Sequence, residues 1–219
     1  MMRKSTVMRE KSFRTRERIL EASEKLFAEN GFNGASMRDI TALAKVNLSV
    51  AYYYFKDKEA LLFAVFDNYI KPLMTRQAEM LDAARADAGT AAIGARKLLE
   101  AMILPRAECA SEAVHQLFTM LFARRGVFEQ KVFEYLEETT KDVRSKFLKE
   151  LMVTFPSLSE LELNFRLESV HAMLAGWQSI APYRKGKYPK NVSKATYLEM
   201  FMDCALAIFN APPTLSLKK

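Results

Sequence analysis

The chain has few of the residues that punctuate β-structure, with 7 glycines and 7 prolines in 219 residues. That is too few turn-formers for a many-stranded sandwich or barrel. Its two cysteines, Cys109 and Cys204, lie far apart, which argues against a disulfide framework and for a reducing, cytoplasmic setting. No signal-peptide pattern opens the chain, and uncharged runs such as 169–183 fall short of the roughly 20 apolar residues a bilayer needs. A membrane protein is therefore not expected. Gly-rich phosphate loops, His-Glu-x-x-His pairs and Cys-x-x-Cys pairs are absent from the sequence. What the chain does have is 50% hydrophobic residues and a mean hydropathy of −0.11, which suits a globular protein with a real core. An all-α fold is expected.

Lys and Arg total 33 against 26 Asp and Glu, a formal charge of +7. The excess is concentrated at the start. Residues 1–18 hold seven basic groups (Arg3, Lys4, Arg9, Lys11, Arg14, Arg16, Arg18) and two acidic ones (Glu10, Glu17). Such an arm suits a polyanion, either nucleic acid or an anionic membrane surface, or it is a solvated tail. Residues 1–13 lack periodicity and are read as a disordered arm.

Apolar spacing predicts a first helix over 15–30, with Ile19, Leu20, Ala22, Leu26 and Phe27 on one side. Gly31 follows as a C-cap, and Phe32 is placed to fold back onto the last turn. Ser36-Met37-Arg38-Asp39 is a capping box that opens a second helix with Met37, Ile40, Leu43 and Ala44 as its apolar set. Asn47 caps a short third helix over 48–55, and Asp57 caps a fourth. Two short helices joined by so brief a turn form a helix-turn-helix. Tyr52, Tyr53 and Tyr54 are consecutive, so they cannot all face a core. The remainder reads as helices over 58–86, with a kink at Pro72, then 90–104, 111–125, 127–154, 159–180 and 193–210. The last helix is apolar nearly all round, and the one before it is similarly rich. Such helices need burial on most sides. Pairing with a second copy is expected through Leu167, Val170, Leu174, Trp177, Leu198, Phe201, Met202, Leu206 and Phe209.

The first 65 residues resemble the TetR/AcrR family of transcriptional regulators. The resemblance rests on Thr15-Arg-Glu-Arg-Ile-Leu-Glu-Ala-Ser-Glu-Lys-Leu-Phe-Ala-Glu-Asn-Gly-Phe32, on Ser36-Met-Arg-Asp-Ile-Thr-Ala-Leu-Ala44 with Val46-Asn47, and on Tyr52-Tyr-Tyr-Phe-Lys-Asp-Lys-Glu-Ala-Leu61. The sequence departs from the family at Lys45, where a glycine is usual, and at Leu48-Ser49-Val50, where a Lys or Gln is often found. The resemblance implies a helix-turn-helix domain over 14–57 and a helical effector-binding and dimerisation domain over 58–219.

It further implies a homodimeric repressor on a palindromic double-stranded DNA operator, released by a small effector. Asn47, Leu48, Ser49 and Val50 would stand at the base edges. Tyr52, Tyr54 and Lys58 would meet the backbone, joined by Ser36 and Arg38 at the start of the second helix. Tyr53 and Phe55 would pack inward. The effector would be hydrophobic or aromatic, held among Met102, His115, Phe118, Phe122, Tyr135, His171 and Trp177. No cofactor is expected.

One enzymatic alternative stands beside this. Glu112-x-x-His115 and Glu168-x-x-His171 contain both histidines, and paired Glu-x-x-His motifs are used by helical di-iron oxidoreductases. Glu134 or Glu137 could supply one of the two further carboxylates such a site needs, but nothing between Leu61 and Leu104 clearly supplies the other, so the chain is read as a non-enzyme.

Overall fold

The computed structural model describes residues 2–109, 113, 114, 116, 117, 127–180 and 193–214, and all regular structure among them is helical. The elements are α1 (Met2–Gly34), α2 (Met37–Ala44), α3 (Leu48–Tyr54), α4 (Lys58–Ala88), α5 (Ala95–Cys109), α6 (Val127–Thr154), α7 (Glu160–Ile180) and α8 (Lys194–Asn210). They form two compact units, Met1–Tyr69 with Ser111–Val132, and Ile70–Ala110 with Phe133–Lys219. The segment expected as a helix over 111–125 falls largely outside the described residues.

The first correction concerns the amino terminus. The segment 1–13 is not an unstructured arm, because α1 is helical from Met2 onward. No glycine or proline interrupts residues 2–30, and the segment is rich in Arg, Lys, Glu and Met, all good helix formers. Arg14 also pairs with Glu10 one turn back, at 2.6 Å. At the other end Gly31 takes φ 70°, ψ 171°, a backbone open to glycine, and one more helical turn follows it. Phe32 folds back so that its ring centroid lies 5.8 Å from that of Phe27.

In the first unit Ile19, Leu20, Ala22, Phe27 and Ala28 of α1 are buried together with Met37, Ile40 and Ala44 of α2, Ala51 of α3 and Phe55. Leu43, counted above in the apolar set of α2, instead faces solvent.

The second unit has its own core. Leu81 and Ala84 of α4, Leu98, Leu99, Met102 and Ile103 of α5, and Phe147 and Leu151 of α6 meet Leu163, Leu167, Val170 and Leu174 of α7 and Phe201, Met202, Ala205 and Phe209 of α8. The α5 helix differs from expectation at both ends. It starts at Ala95 and runs through Pro105 to Cys109. Pro105 lacks the N–H that would reach Ala101, but the buried Leu98, Leu99, Met102 and Ile103 hold the helix across that gap. Likewise α4 continues through Pro72 to Ala88, and Gly89 ends it at φ 58°.

The carboxyl end of α8 is held by a buried arginine. Arg166 donates through Nη1 to the carbonyls of Ile208 (2.9 Å), Phe209 (3.0 Å) and Ala211 (2.7 Å), and through Nη2 to Pro212 (3.0 Å). Glu162, one turn back on α7, accepts from the same guanidinium at 3.3 Å and from the Thr214 N–H at 2.7 Å. These are the carbonyls a helix end leaves without partners, and here a charged group supplies them. Replacing Arg166 with Met strands them together with a buried carboxylate, so Arg166→Met is expected to lower unfolding stability by about 3 kcal/mol. Urea denaturation followed by circular dichroism measures this, and a loss below about 0.5 kcal/mol, the level of an ordinary surface substitution, contradicts the clamp.

Candidate nucleic-acid interface

The geometry of the first unit starts from the two ends of α2. At its amino end Ser36 is the N-cap. The Asp39 N–H donates to Ser36 Oγ (3.2 Å), and Asp39 Oδ2 accepts from the Ser36 N–H (3.2 Å) and hydroxyl (2.6 Å). Those bonds, led by the Ser36 hydroxyl, hold the Asp39 carboxyl below its ordinary pKa. At the carboxyl end Lys45 adopts φ 53°, ψ 50°, the left-handed conformation for which glycine is usual. A side chain there costs about 1 kcal/mol, which the packed domain absorbs. The turn is secured by Arg18 of α1, whose guanidinium donates to Ala44 O (3.1 and 2.8 Å) and Lys45 O (2.9 Å). The sequence reading did not single out Arg18. Its role depends on carbonyls 26 positions away in the chain.

After that turn α3 begins at Leu48. Asn47 is extended and gives its carbonyl to the N–H groups of Val50 (3.0 Å) and Ala51 (3.3 Å), with no side-chain capping bond. Ala51 is fully buried, so the inner face of α3 lies close against its neighbours. The opposite face is available: Asn47 and Ser49 are exposed, and Leu48 and Val50 half-buried. The third helix ends at Tyr54, and Phe55, expected as its last residue, leaves it with φ −135°, ψ 115°.

Ser36, Met37, Arg38, Leu48, Tyr52, Asp57 and Lys58 line one open surface depression. The structure thus gathers five residues named from sequence, Ser36, Arg38, Leu48, Tyr52 and Lys58, from three elements. Tyr52 is 48% exposed at its edge.

Two tyrosine placements differ from expectation. Tyr53 does not pack inward but is 83% exposed. Tyr54 is the half-buried one, and its hydroxyl shares a 2.7 Å hydrogen bond with Ser12 Oγ. The helical start of α1 supplies that partner, which a reading of 1–13 as unstructured could not foresee. Lys58 also differs. Its ammonium donates to Phe32 O (2.8 Å) and Ala35 O (3.0 Å) and lies 4.4 Å from the Phe32 ring centroid. Two of its three donors are thereby committed to the α1–α2 junction, which leaves one for a phosphate.

In the second unit the named effector residues scatter. Met102 is in the core, its carbonyl accepting from Gln77 Nε2 at 2.5 Å. Tyr135 and His171 are half-buried. His115, Phe118 and Phe122 lie outside the described residues, as does the side chain of Trp177. Leu167, Val170, Leu174, Phe201, Met202 and Phe209, named for a subunit interface, are buried in the protomer's own core, with Leu198 and Leu206 packed against it. The second unit is large enough to enclose the stripe that sequence assigned to a partner. What α7 and α8 leave outward is Leu161 (69% exposed), Phe165 (70%), Ala172 and Gly176 on one, and Met200 (57%), Cys204 and Ala207 on the other. For the di-iron alternative, Glu112 and His115 lie outside the described residues, and the Glu168 carboxylate accepts from Arg144 at 2.9 Å.

A buried-anchored helix pair with a left-handed turn and an exposed second helix defines a helix-turn-helix DNA-binding domain. Residues 19–65 match the family model of the bacterial regulatory proteins of the tetR family. The chain is 41% identical over 66 residues to the HTH-type transcriptional repressor NicS of Pseudomonas putida, covering 30% of this chain and 31% of that protein. A second match, to the transcriptional regulator SAB2452 of Staphylococcus aureus, is 24% identical over 177 residues and covers 78% of this chain and 92% of the relative. In its match to NicS the chain thus spans about a third of that repressor's length. Among solved structures, the fatty acid degradation regulator FadR of Bacillus halodurans shares the fold with a TM-score of 0.56 at 16% identity, covering 90% of this chain and 95% of that one. A HlyIIR mutant protein does so at 0.57 and 18%, covering 90% and 97%. The two sequence relatives are named as a transcriptional repressor and a transcriptional regulator, in agreement with a non-enzymatic chain.

His171 yields a pH test of the second unit. Burial chiefly, then the positive charges of Arg106 and Arg144, push its imidazole down from 6.5 to about 3. The folded state therefore holds His171 neutral while the unfolded chain binds a proton below pH 6.5. Its contribution is complete above pH 6.5 and is lost progressively as pH falls toward 3. In denaturant titrations across that range, His171→Gln is expected to flatten the wild-type fall in stability. An unchanged pH dependence contradicts an imidazole held neutral in the folded state.

Proposed function

We propose that this protein is a DNA-binding transcriptional repressor that reads a palindromic operator as a homodimer and releases it on binding a small hydrophobic or aromatic effector. The observation that carries the reading is the exposed face of α3, Asn47 to Val50, standing beside a depression bordered by Ser36, Arg38, Tyr52 and Lys58. A helix in the major groove needs that arrangement, with short polar and methyl-contacting groups at its start and phosphate donors on its flanks. Ser49 supplies a hydroxyl that bonds base edges, while Leu48 and Val50 suit a thymine methyl. Arg38 and Tyr52 take phosphates, and the third Lys58 donor reaches one from its anchored position. Tyr54 is left to hold α1, and its place at the backbone passes to Tyr53.

Function divides near residue 57, with effector binding and dimerisation assigned to 58–219. The outward Leu161, Phe165, Met200 and Ala207 of α7 and α8 form the self-complementary surface, in place of the core residues named from sequence. Tyr135 and His171, half-buried and polar-tipped, are the described residues best suited to an effector. The effector acts by binding one arrangement of the two reading helices better than the other, since equal affinity shifts nothing.

DNA fragments retained by the wild-type protein from its own genome supply the test duplex. On it Arg38→Gln is expected to weaken binding uniformly across sequences and to reduce the salt slope by about 0.9. Ser49→Ala, by contrast, should relax the preference at single base positions. If Arg38→Gln alters neither affinity nor slope, the depression is not the DNA-facing surface. For the dimer, Phe165→Glu places a charge in the proposed seam and is expected to halve the sedimenting mass. A wild-type mass with intact helicity contradicts that seam.

A further inference from the structure

Ten residues of helix precede Ser12, and at 1.5 Å per residue they extend α1 by about 15 Å beyond the body of the first unit's α1–α3 core. Two contacts fix where that extension leaves the domain. Ser12 shares its hydrogen bond with Tyr54, and one turn on, the Arg16 guanidinium lies 5.5 Å from the Phe55 ring centroid. The extension therefore departs from the carboxyl end of α3, the helix assigned above to the groove. At the same place Tyr53 is almost fully exposed and meets Tyr54 edge-on, with centroids 5.2 Å apart at 80°. Most of that aromatic surface is left in water near the end of α3.

Charge points the same way. Both carboxylates of the segment are engaged by arginines, Glu10 by Arg14 and Glu17 by Arg16 at 3.2 Å, and Arg18 is turned onto the α2 carbonyls. The basic excess is carried by Arg3, Lys4, Arg9 and Lys11. Positions 4 and 11 fall seven apart in the helical segment, at the spacing that returns to one helix face.

We propose that the amino-terminal extension of α1 is a second DNA-contacting element, a basic helical arm braced on α3 through Ser12 and Tyr54 that engages the sugar–phosphate backbone outside the groove together with Tyr53. This rests on α3 being the groove-facing helix. The arm adds affinity and footprint without reading bases, because phosphate contacts carry no sequence information directly. A lipid surface suits the arm less well. Val7, Met8 and Phe13 are the large apolar residues it offers besides its methionine start, too few for the apolar face of an interfacial helix.

The test uses the full chain and a mixed-sequence duplex of several helical turns, with binding followed by fluorescence anisotropy over a range of salt. The variant carries Arg3→Gln, Lys4→Gln, Arg9→Gln and Lys11→Gln together, because glutamine keeps helix propensity while removing charge. The salt slope is expected to fall by about 3 to 4, at roughly 0.9 per phosphate. Tyr53→Ala is expected to weaken binding severalfold at an unchanged slope. A quadruple variant with the wild-type slope overturns the arm while leaving the α3 reading intact. Wild-type protein that binds no duplex at any salt overturns both. Arm-dependent binding to phosphatidylglycerol–phosphatidylcholine vesicles with an unaltered DNA slope overturns the proposal in favour of a membrane.

Discussion

The first unit depends on how the backbone carbonyls freed around α2 find partners. A helix of eight residues has nearly as many unpaired backbone groups at its ends as paired ones within it, so its direction is set from outside. Here two cations do so. Arg18 of α1 takes Ala44 O and Lys45 O at one end, and Lys58 of α4 takes Phe32 O and Ala35 O just before the other. With α2 held at both ends, the left-handed Lys45 turn gives α3 a single departure angle. The exposed Asn47–Val50 edge then follows from burying Ala51 and Phe55 on the reverse side. On the proposed reading the same contacts let the groups at the start of α3 be short and uncharged, since orientation is supplied from beneath.

The second unit uses a related device for a different end. Arg166 closes the last turn of α8 as Arg18 closes α2, but from within a core rather than at a surface. Buried guanidinium and carboxylate sit together there, with Glu162 Oε1 accepting from both Arg166 and the Thr214 N–H. That enclosure of α7 and α8 leaves Leu161, Phe165 and Met200 as large apolar side chains exposed on the outward side.

Much of the first unit was legible in the sequence because its signals are local. Ser36 with Asp39, Asp57 with the Ala60 N–H, and a positive φ at Gly31 each follow from residues a few positions apart. The apolar period of α1 gave Ile19, Leu20 and Phe27 as core for the same reason. What failed was long-range. Tyr53 and Tyr54 exchanged roles because Ser12, 42 positions away from Tyr54, selects which phenol turns in. Lys58 looked like a free phosphate ligand until the carbonyls of Phe32 and Ala35 came within its reach. Apolar faces on α7 and α8 showed that burial was required but not whether a core or a partner would supply it. Pro105 misled in the opposite direction, since packing of its neighbours overrode a local breaker.

The central claim is that the amino end of α3 enters the groove, while Leu161 belongs to the proposed seam between copies. Placing a photoreactive side chain at position 49, and separately at position 161, tests it directly on protein bound to duplex. The account predicts crosslinks to bases from position 49 and none from position 161, which lies on the outward face of α7. Binding that persists without any base crosslink at 49, or with equal crosslinking from 161, would contradict it.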